Sequence, residues 1–338
     1  MASISPKFGL SSRTKVLKSK TSELKSNKSS VLETVYHCPN RKDITFLAIS
    51  DPDTNLLMDM NKKFQFHHLA IEDCLSEFQR SKIEQYKDYL HIILQMPNYE
   101  KGLVVPAEIS VFLSESYLVL VHWNNSTNLN HFIEGIIYNE EMKKECMEKG
   151  TGYLLYKILD LLVLNCFPLI DKIEKRVRIL ESKIFDENSQ DDRNTVREIA
   201  KVRRDIMSFH RIIKPQIAVI NNLERMKQKF IGDDLDLYFG DIADHVSKQW
   251  DIISDQNELT INLNSTNESL ISVRANNVMK TLTIISVIML PLTLISGIYG
   301  MNIRLPIAEK EYAFEIVVIF MFITAISMLV FFKRKKWV

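Results

Sequence analysis

The sequence predicts an α+β membrane protein, with an N-terminal cytoplasmic α/β domain, a long helical stalk and a two-helix transmembrane hairpin at its C-terminal end. Three observations predict it. Short apolar runs rich in β-branched residues occupy the first half of the chain. Long stretches with helical apolar spacing and interleaved charge follow, and two uncharged apolar runs close the sequence. The apolar residues are so concentrated at that end that the average, 46% hydrophobic and 25% charged, resembles a soluble protein.

Residues 1–30 carry Lys7, Arg13, Lys15, Lys18, Lys20, Lys25 and Lys28 against one acid, Glu23, with many serines and no apolar segment. No secretory signal is read there, and a disordered basic tail is expected. A transit peptide, in which arginine should outnumber lysine, and a contact with anionic lipid are the alternatives. Over residues 31–150, strand-like runs occur at Ile44–Ile49, Tyr89–Leu94, Ala107–Leu113 and Tyr117–His122. The last two flank Ser114-Glu115-Ser116, a hairpin turn, and His67–Phe78 reads as a helix, which together give a small α/β domain.

Residues 151–235 read as a hairpin of long helices, Tyr153–Phe185 and Asp191–Phe230, joined by a turn at Asp186–Gln190. Pro168 and Pro215 are expected to kink or break them. The most apolar stretch, Ile158–Phe167, contains Asp160 and Asn165 and is too short to cross a bilayer. The alternating charges of Arg193, Arg197, Glu198, Lys201, Arg203, Arg204 and Asp205 suit a solvated face.

After Gly232-Asp233-Asp234 a third helical pattern starts near Asp241 and meets no glycine or proline before Pro291. Residues 236–299 are therefore expected to form one stalk helix that continues into the first membrane span. Sixty such residues would extend roughly 90 Å. A helix of that length needs partners along it, which argues for a bundle of subunits.

The spans themselves are Leu282–Tyr299 and Ile316–Phe332, neither containing a charge. Each is near the lower limit for a ~30 Å hydrocarbon core. Arg274 and Lys280 precede the first, and Lys333-Arg334-Lys335-Lys336 begins the tail over 333–338. The loop over 300–315 sets Arg304 and Lys310 against Glu309, Glu311 and Glu315. The positive-inside rule then puts both termini in the cytoplasm and the loop outside.

Composition excludes several functions. With 43 basic and 42 acidic residues the net charge is +1, so no general basic field exists for nucleic acid. Cys38, Cys74, Cys146 and Cys166 lie far apart without a C-x-x-C pair, and read as unpaired thiols in a reducing compartment. His67-His68 with Glu72 would put a ligand pair on one helical turn, against the ordinary alternative of capping or surface roles. No glycine-rich phosphate loop, nucleophile elbow or metal-hydrolase motif points to an enzyme.

One pattern crosses the membrane boundary. Alternate steps of three and four residues from Asn262 meet Ser265, Ser269, Ser272, Asn276, Met279, Thr283, Ser286, Leu290, Thr293, Gly297 and Gly300. Ten of these twelve positions are polar or glycine, although most other positions of the span are apolar. Close packing through small residues accounts for the membrane half. A water-filled axial channel accounts for both halves. Met279 and Leu290, with Leu282 close beside the stripe, would then be apolar rings that close the channel by dewetting.

The end of the first span, Gly297-Ile298-Tyr299-Gly300-Met301-Asn302, resembles the CorA magnesium-channel family, whose signature is Gly-Met-Asn after the first of two C-terminal spans. The likeness extends through Asn276, Val278-Met279-Lys280, Leu282-Thr283, Pro291-Leu292-Thr293 and Lys335-Lys336-Trp337. Upstream it takes in His67, Glu72-Asp73, Gln79-Arg80, Lys82, Tyr238-Phe239 and Asp241.

The resemblance implies a homopentamer with a cytoplasmic funnel in a bacterial inner or plasma membrane, in contact with lipid and with copies of itself. Its cargo would be Mg2+, with Co2+ as a second. Gly300, Met301 and Asn302 would form the outer mouth, while Asn276, Met279, Leu282, Thr283, Ser286, Leu290, Thr293 and Gly297 would line the pore. Intracellular Mg2+ would be sensed at subunit interfaces by Asp73, with Glu72 beside it, and by Asp241. No organic cofactor is implied.

The chain departs from the family pattern at Arg304, where an acid is common, and at His68 and Ser81, where proline is common. A Zn2+, Ni2+ or Co2+ transporter of the same superfamily and a membrane-tethered soluble domain remain as alternatives. The absence of Cys and His from the stripe speaks against soft-ligand binding in a pore.

Overall fold

The computed structural model describes residues 29–38, 42–76, 79–123, 127–186, 192–226, 231, 233–301, 312–335 and 337. The expected basic tail, up to residue 28, and most of the 300–315 loop, with Asn302, Arg304, Glu309 and Glu311, lie outside the described residues. In chain order the elements begin with β1 (Ser30–Tyr36), β2 (Ile44–Ser50), α1 (Thr54–Phe64), α2 (His68–Leu75), β3 (Lys82–Gln85), β4 (Leu90–Glu100), β5 (Leu103–Leu113) and β6 (Tyr117–His122). Helices α3 (Thr127–Tyr138), α4 (Glu140–Met147), α5 (Thr151–Leu164), α6 (Phe167–Phe185), α7 (Asp192–Arg225), α8 (Asp236–Tyr299) and α9 (Ala313–Arg334) complete the chain. They belong to two compact units, divided within α8 between Ile261 and Asn262.

The first unit is built on a six-stranded sheet of order β1-β2-β6-β5-β4-β3. Among the described strands only the β2–β6 pair is parallel; the other neighbours are antiparallel. The strand-like runs expected from the sequence are β2, the first half of β4, the second half of β5, and β6. Strands β4 and β5 are longer than those runs, eleven residues each, and form one hairpin across Lys101-Gly102. Both turn residues have positive φ, 47° and 85°, as a two-residue hairpin turn demands.

Alternation gives the sheet two apolar faces. Leu47, Ile49, Phe112, Val119 and Val121 face α1 and α2 in one continuous core with Leu57, Met60, Phe66, Ile71 and Cys74. On the opposite face Phe46, Ala48, Ile92, Leu94, Val111, Leu118 and Leu120 are also buried. Helices α5 and α6 contact β4, β5 and β6.

Local signals explain the helices. Asp53 caps α1 by accepting from the Leu56 amide at 2.7 Å, and Asn139 caps α4 by accepting from Glu141 and Met142. Tyr153–Phe185 is broken into two helices near Pro168, one of the two outcomes expected there: the chain turns at Asn165-Cys166 and the proline enters the first turn of α6. A proline is tolerated there because that N–H has no intrahelical partner. Pro215, by contrast, sits inside a continuous α7.

In the second unit, α8 continues through Pro291 to Tyr299, and α9 follows. Among the described residues three helical segments are long and apolar enough for a membrane, but their surroundings separate them. Half of the Thr151–Phe185 window is buried in protein, against 6% for α8 and 0% for α9. The first is core. The other two leave large side chains such as Leu290, Phe314 and Phe322 exposed in a single chain, which requires lipid or partner helices to cover them.

Candidate functional site

Along α8 the stepped positions share one side of the helix. Ser286, Leu290, Thr293, Gly297 and Met301 line a single shallow groove. All the stripe residues from Asn276 to Gly300 are exposed, including Met279 at 61% and Leu290 at 71%, and Leu282 beside them is 57% exposed. Thr283 and Thr293 donate their hydroxyl protons to the carbonyls of Met279 and Met289, each at 2.8 Å. What these side chains turn outward is therefore oxygen lone pairs.

At the end of the helix the Gly300 amide donates to the Ser296 carbonyl at 2.9 Å. A Cβ on Gly300 would stand 3.2 Å from that oxygen, whereas one on Gly297 would meet nothing within 4 Å. Met301 is described and exposed; Asn302 falls outside the described residues.

The predicted regulatory acids fall in two separate groups of the first unit. Asp241 on α8 is joined by His245, one turn on, and by Asp160 of α5, with one donor atom of each within 4.8 Å of the others. His245 Nδ1 is 4.0 Å from Asp241 Oδ2 and has no hydrogen-bond partner among the described residues. Burial raises the pKa of Asp160; the nearby His245 opposes that rise and Asp241 adds to it. Two carboxylates and an unengaged imidazole nitrogen form a donor set suited to a divalent cation.

Asp73 on α2 belongs to the other group. Its Oδ2 accepts from Lys82 Nζ at 2.7 Å, and Lys82 also donates to Glu84 at 2.8 Å. Burial works against charge on Glu84, but the ammonium outweighs it and holds that carboxyl below its ordinary range. Glu84 stands directly opposite His91 in the β3–β4 register. His91 is fully buried, its Nε2 is 2.7 Å from Ser110 Oγ, and burial lowers its pKa to about 4. Glu72, the neighbour of Asp73, is exposed.

Sequence reasoning missed Asp160, His245, Glu84 and His91 as members of these groups. His245 had a detectable signal, its spacing of four from Asp241 on a helix; the rest depend on packing and strand register. His67 proves to be a capping residue, its Nδ1 accepting from the Leu69 amide at 3.3 Å. None of the four cysteines is in a disulfide, and Cys74, Cys146 and Cys166 are buried.

Comparison with known proteins agrees with this architecture. The family described as CorA-like Mg2+ transporter protein matches residues 41–334. The "Cobalt/magnesium transport protein CorA" of Thermotoga maritima is 30% identical over 287 residues, covering 84% of this chain and 80% of that protein. The "Putative metal ion transporter YfjQ" of Bacillus subtilis is 32% identical over 298 residues, covering 87% and 89%. Among solved structures, the complete CorA magnesium transporter from Methanocaldococcus jannaschii superposes with a TM-score of 0.77 at 22% identity, covering 87% of this chain and 92% of that one.

Proposed function

Because the chain belongs to the CorA-like Mg2+ transporter family, a family of transporters and not of enzymes, we propose that it is one subunit of a homopentameric channel for Mg2+, with Co2+ as a second cargo. The observation that carries this is the polar face of α8, which runs from Asn276, before the uncharged span, to Gly300 at the end of it and is exposed along its whole length in the single chain. Five copies around an axis would turn that face to water.

The chemistry suits the cargo. Mg2+ gives up its hydration shell reluctantly. A hydrated ion presents water hydrogens, and Thr283 and Thr293 present acceptors because their own protons are engaged within the helix. At the outer mouth, Asn302 amides and the backbone around Gly300 and Met301 would accept from the same waters. Met279, Leu282 and Leu290 would supply apolar constrictions that close the path by dewetting.

Closure would follow intracellular Mg2+. Glu72 and Asp73 on one subunit and Asp241 on the next would share the ion, with Asp160 adding an oxygen ligand to the Asp241 side. Without the ion these carboxylates repel, and the interface loosens. The membrane is the bacterial inner or plasma membrane, with both termini in the cytoplasm.

Mg2+ uptake into proteoliposomes tests both parts. Wild type is expected to take up Mg2+, Asn302→Ala to lose most of the flux, and Asp73→Lys/Asp241→Lys to keep conducting at high internal Mg2+. No Mg2+ flux from a folded oligomer would sink the magnesium reading and leave Zn2+, Ni2+ or Co2+ as cargo.

A further inference from the structure

We propose that Asp73, Glu84 and His91 form an additional divalent-metal site inside a single chain, which takes a borderline transition-metal dication of the Zn2+, Co2+ or Ni2+ class in exchange for the Lys82 ammonium. One donor atom from each of the three lies within 4.8 Å of the others. Tetrahedral donors about 2.1 Å from an ion stand about 3.4 Å apart, so closing on one requires roughly an ångström of side-chain movement.

Two observations raise this above a cluster of acids. His91 is 0% exposed, and its Nδ1 has no hydrogen-bond partner among the described residues. That nitrogen faces the acids, with Glu84 Oε2 at 3.9 Å, while Nε2 is engaged with Ser110 Oγ at 2.7 Å. Such an outer bond fixes the ring and its tautomer in metal-binding histidines. The space is also already used by a cation: Lys82 Nζ lies 2.7 Å from Asp73 and 2.8 Å from Glu84. Its side chain is 32% exposed, so it has a route to solvent when a dication replaces it.

The donor set selects the ion. Mg2+ prefers oxygen and keeps its waters. One imidazole with two carboxylates, and water in the fourth position, suits the transition series. The consequence rests on the regulatory reading above: an ion held here occupies Asp73, a carboxylate that Mg2+ sensing also needs.

Zn2+ binding to the full-length protein in detergent, read by titration and by zinc-edge X-ray absorption, decides the matter without any flux measurement. A His245→Gln background removes the imidazole of the other cluster. In it, one Zn2+ per chain with an imidazole in its shell is expected. Adding His91→Phe should weaken binding about tenfold or more and abolish the imidazole signal. Adding Glu84→Gln, which preserves the strand pair, should weaken it similarly, and adding Lys82→Met should tighten it. Unchanged affinity in the Glu84 variant, an imidazole signal that survives His91→Phe, or weaker binding in the Lys82 variant would overturn the site.

Discussion

Asp205 on α7 is 1% exposed and accepts a hydrogen bond from Arg176 of α6, an ion pair that joins the two helices. Removing Arg176 leaves this buried carboxylate with the more distant Arg204, whose Nε is 3.9 Å from Asp205 Oδ1, so Arg176→Met is expected to cost about 3 kcal/mol in denaturant unfolding. Arg176→Met/Asp205→Leu should recover most of that loss. Glu108 on β5 behaves differently. Burial raises its pKa to about 7, although the Gln79 amide donates to its carboxylate at 3.1 Å. The folded state therefore holds this proton more tightly than the unfolded chain, so stability from this group is full below the ordinary carboxylate pKa and is lost as pH rises toward 7. Glu108→Gln should leave stability nearly unchanged at pH 4 and raise it at pH 8, measured as the shift in thermal midpoint.

At the scale of elements, the β4–β5 hairpin depends on Gly102, whose φ is 85°. Gly102→Ala is expected to cost about 1 kcal/mol, read by the same unfolding measurement. In the proposed pore Leu290 is one of three apolar constrictions, with Met279 and Leu282; Leu290→Ser should raise proteoliposome flux at high internal Mg2+, where wild type would be closed. These elements also explain what the sequence made legible. Strands β2 and β6 pair in parallel inside the sheet and are buried on both faces, so they read as continuous apolar runs. Strands β1 and β3 are the sheet edges, partly exposed, with a weaker pattern. The hairpin was seen only at its ends because Pro97 and Pro106, paired across it, interrupt the β-forming composition of both strands. Helix α8 begins at Asp236, five residues before Asp241, since Gly240 is accommodated within it. The polar stripe was readable because it lies on one helix, where periodicity alone fixes the face. Asp160 and Asp241 were not readable as a pair, because they meet only through the packing of α5 against α8.

For the whole molecule, the exposed apolar surface of α8 and α9 must be covered by lipid or by partner helices, and the proposed assembly supplies both. Native mass spectrometry from detergent should give five chains. If interfacial carboxylates hold the closed form, Mg2+ should slow limited proteolysis of that assembly several-fold, and Asp160→Asn/Asp241→Asn should remove most of the protection. A single-chain mass, or equal protection in the variant, would contradict the assembly and the sensor respectively.

The engaged hydroxyls of Thr283 and Thr293 have a further consequence. In the proposed pore these two hydroxyls would offer chloride no proton donor to replace its water, so selection against anions at Thr283 and Thr293 would need no net charge. Such discrimination does not fade when ionic strength rises, as a carboxylate ring's would. Nor is it lost in acid, because nothing in Thr283 or Thr293 titrates.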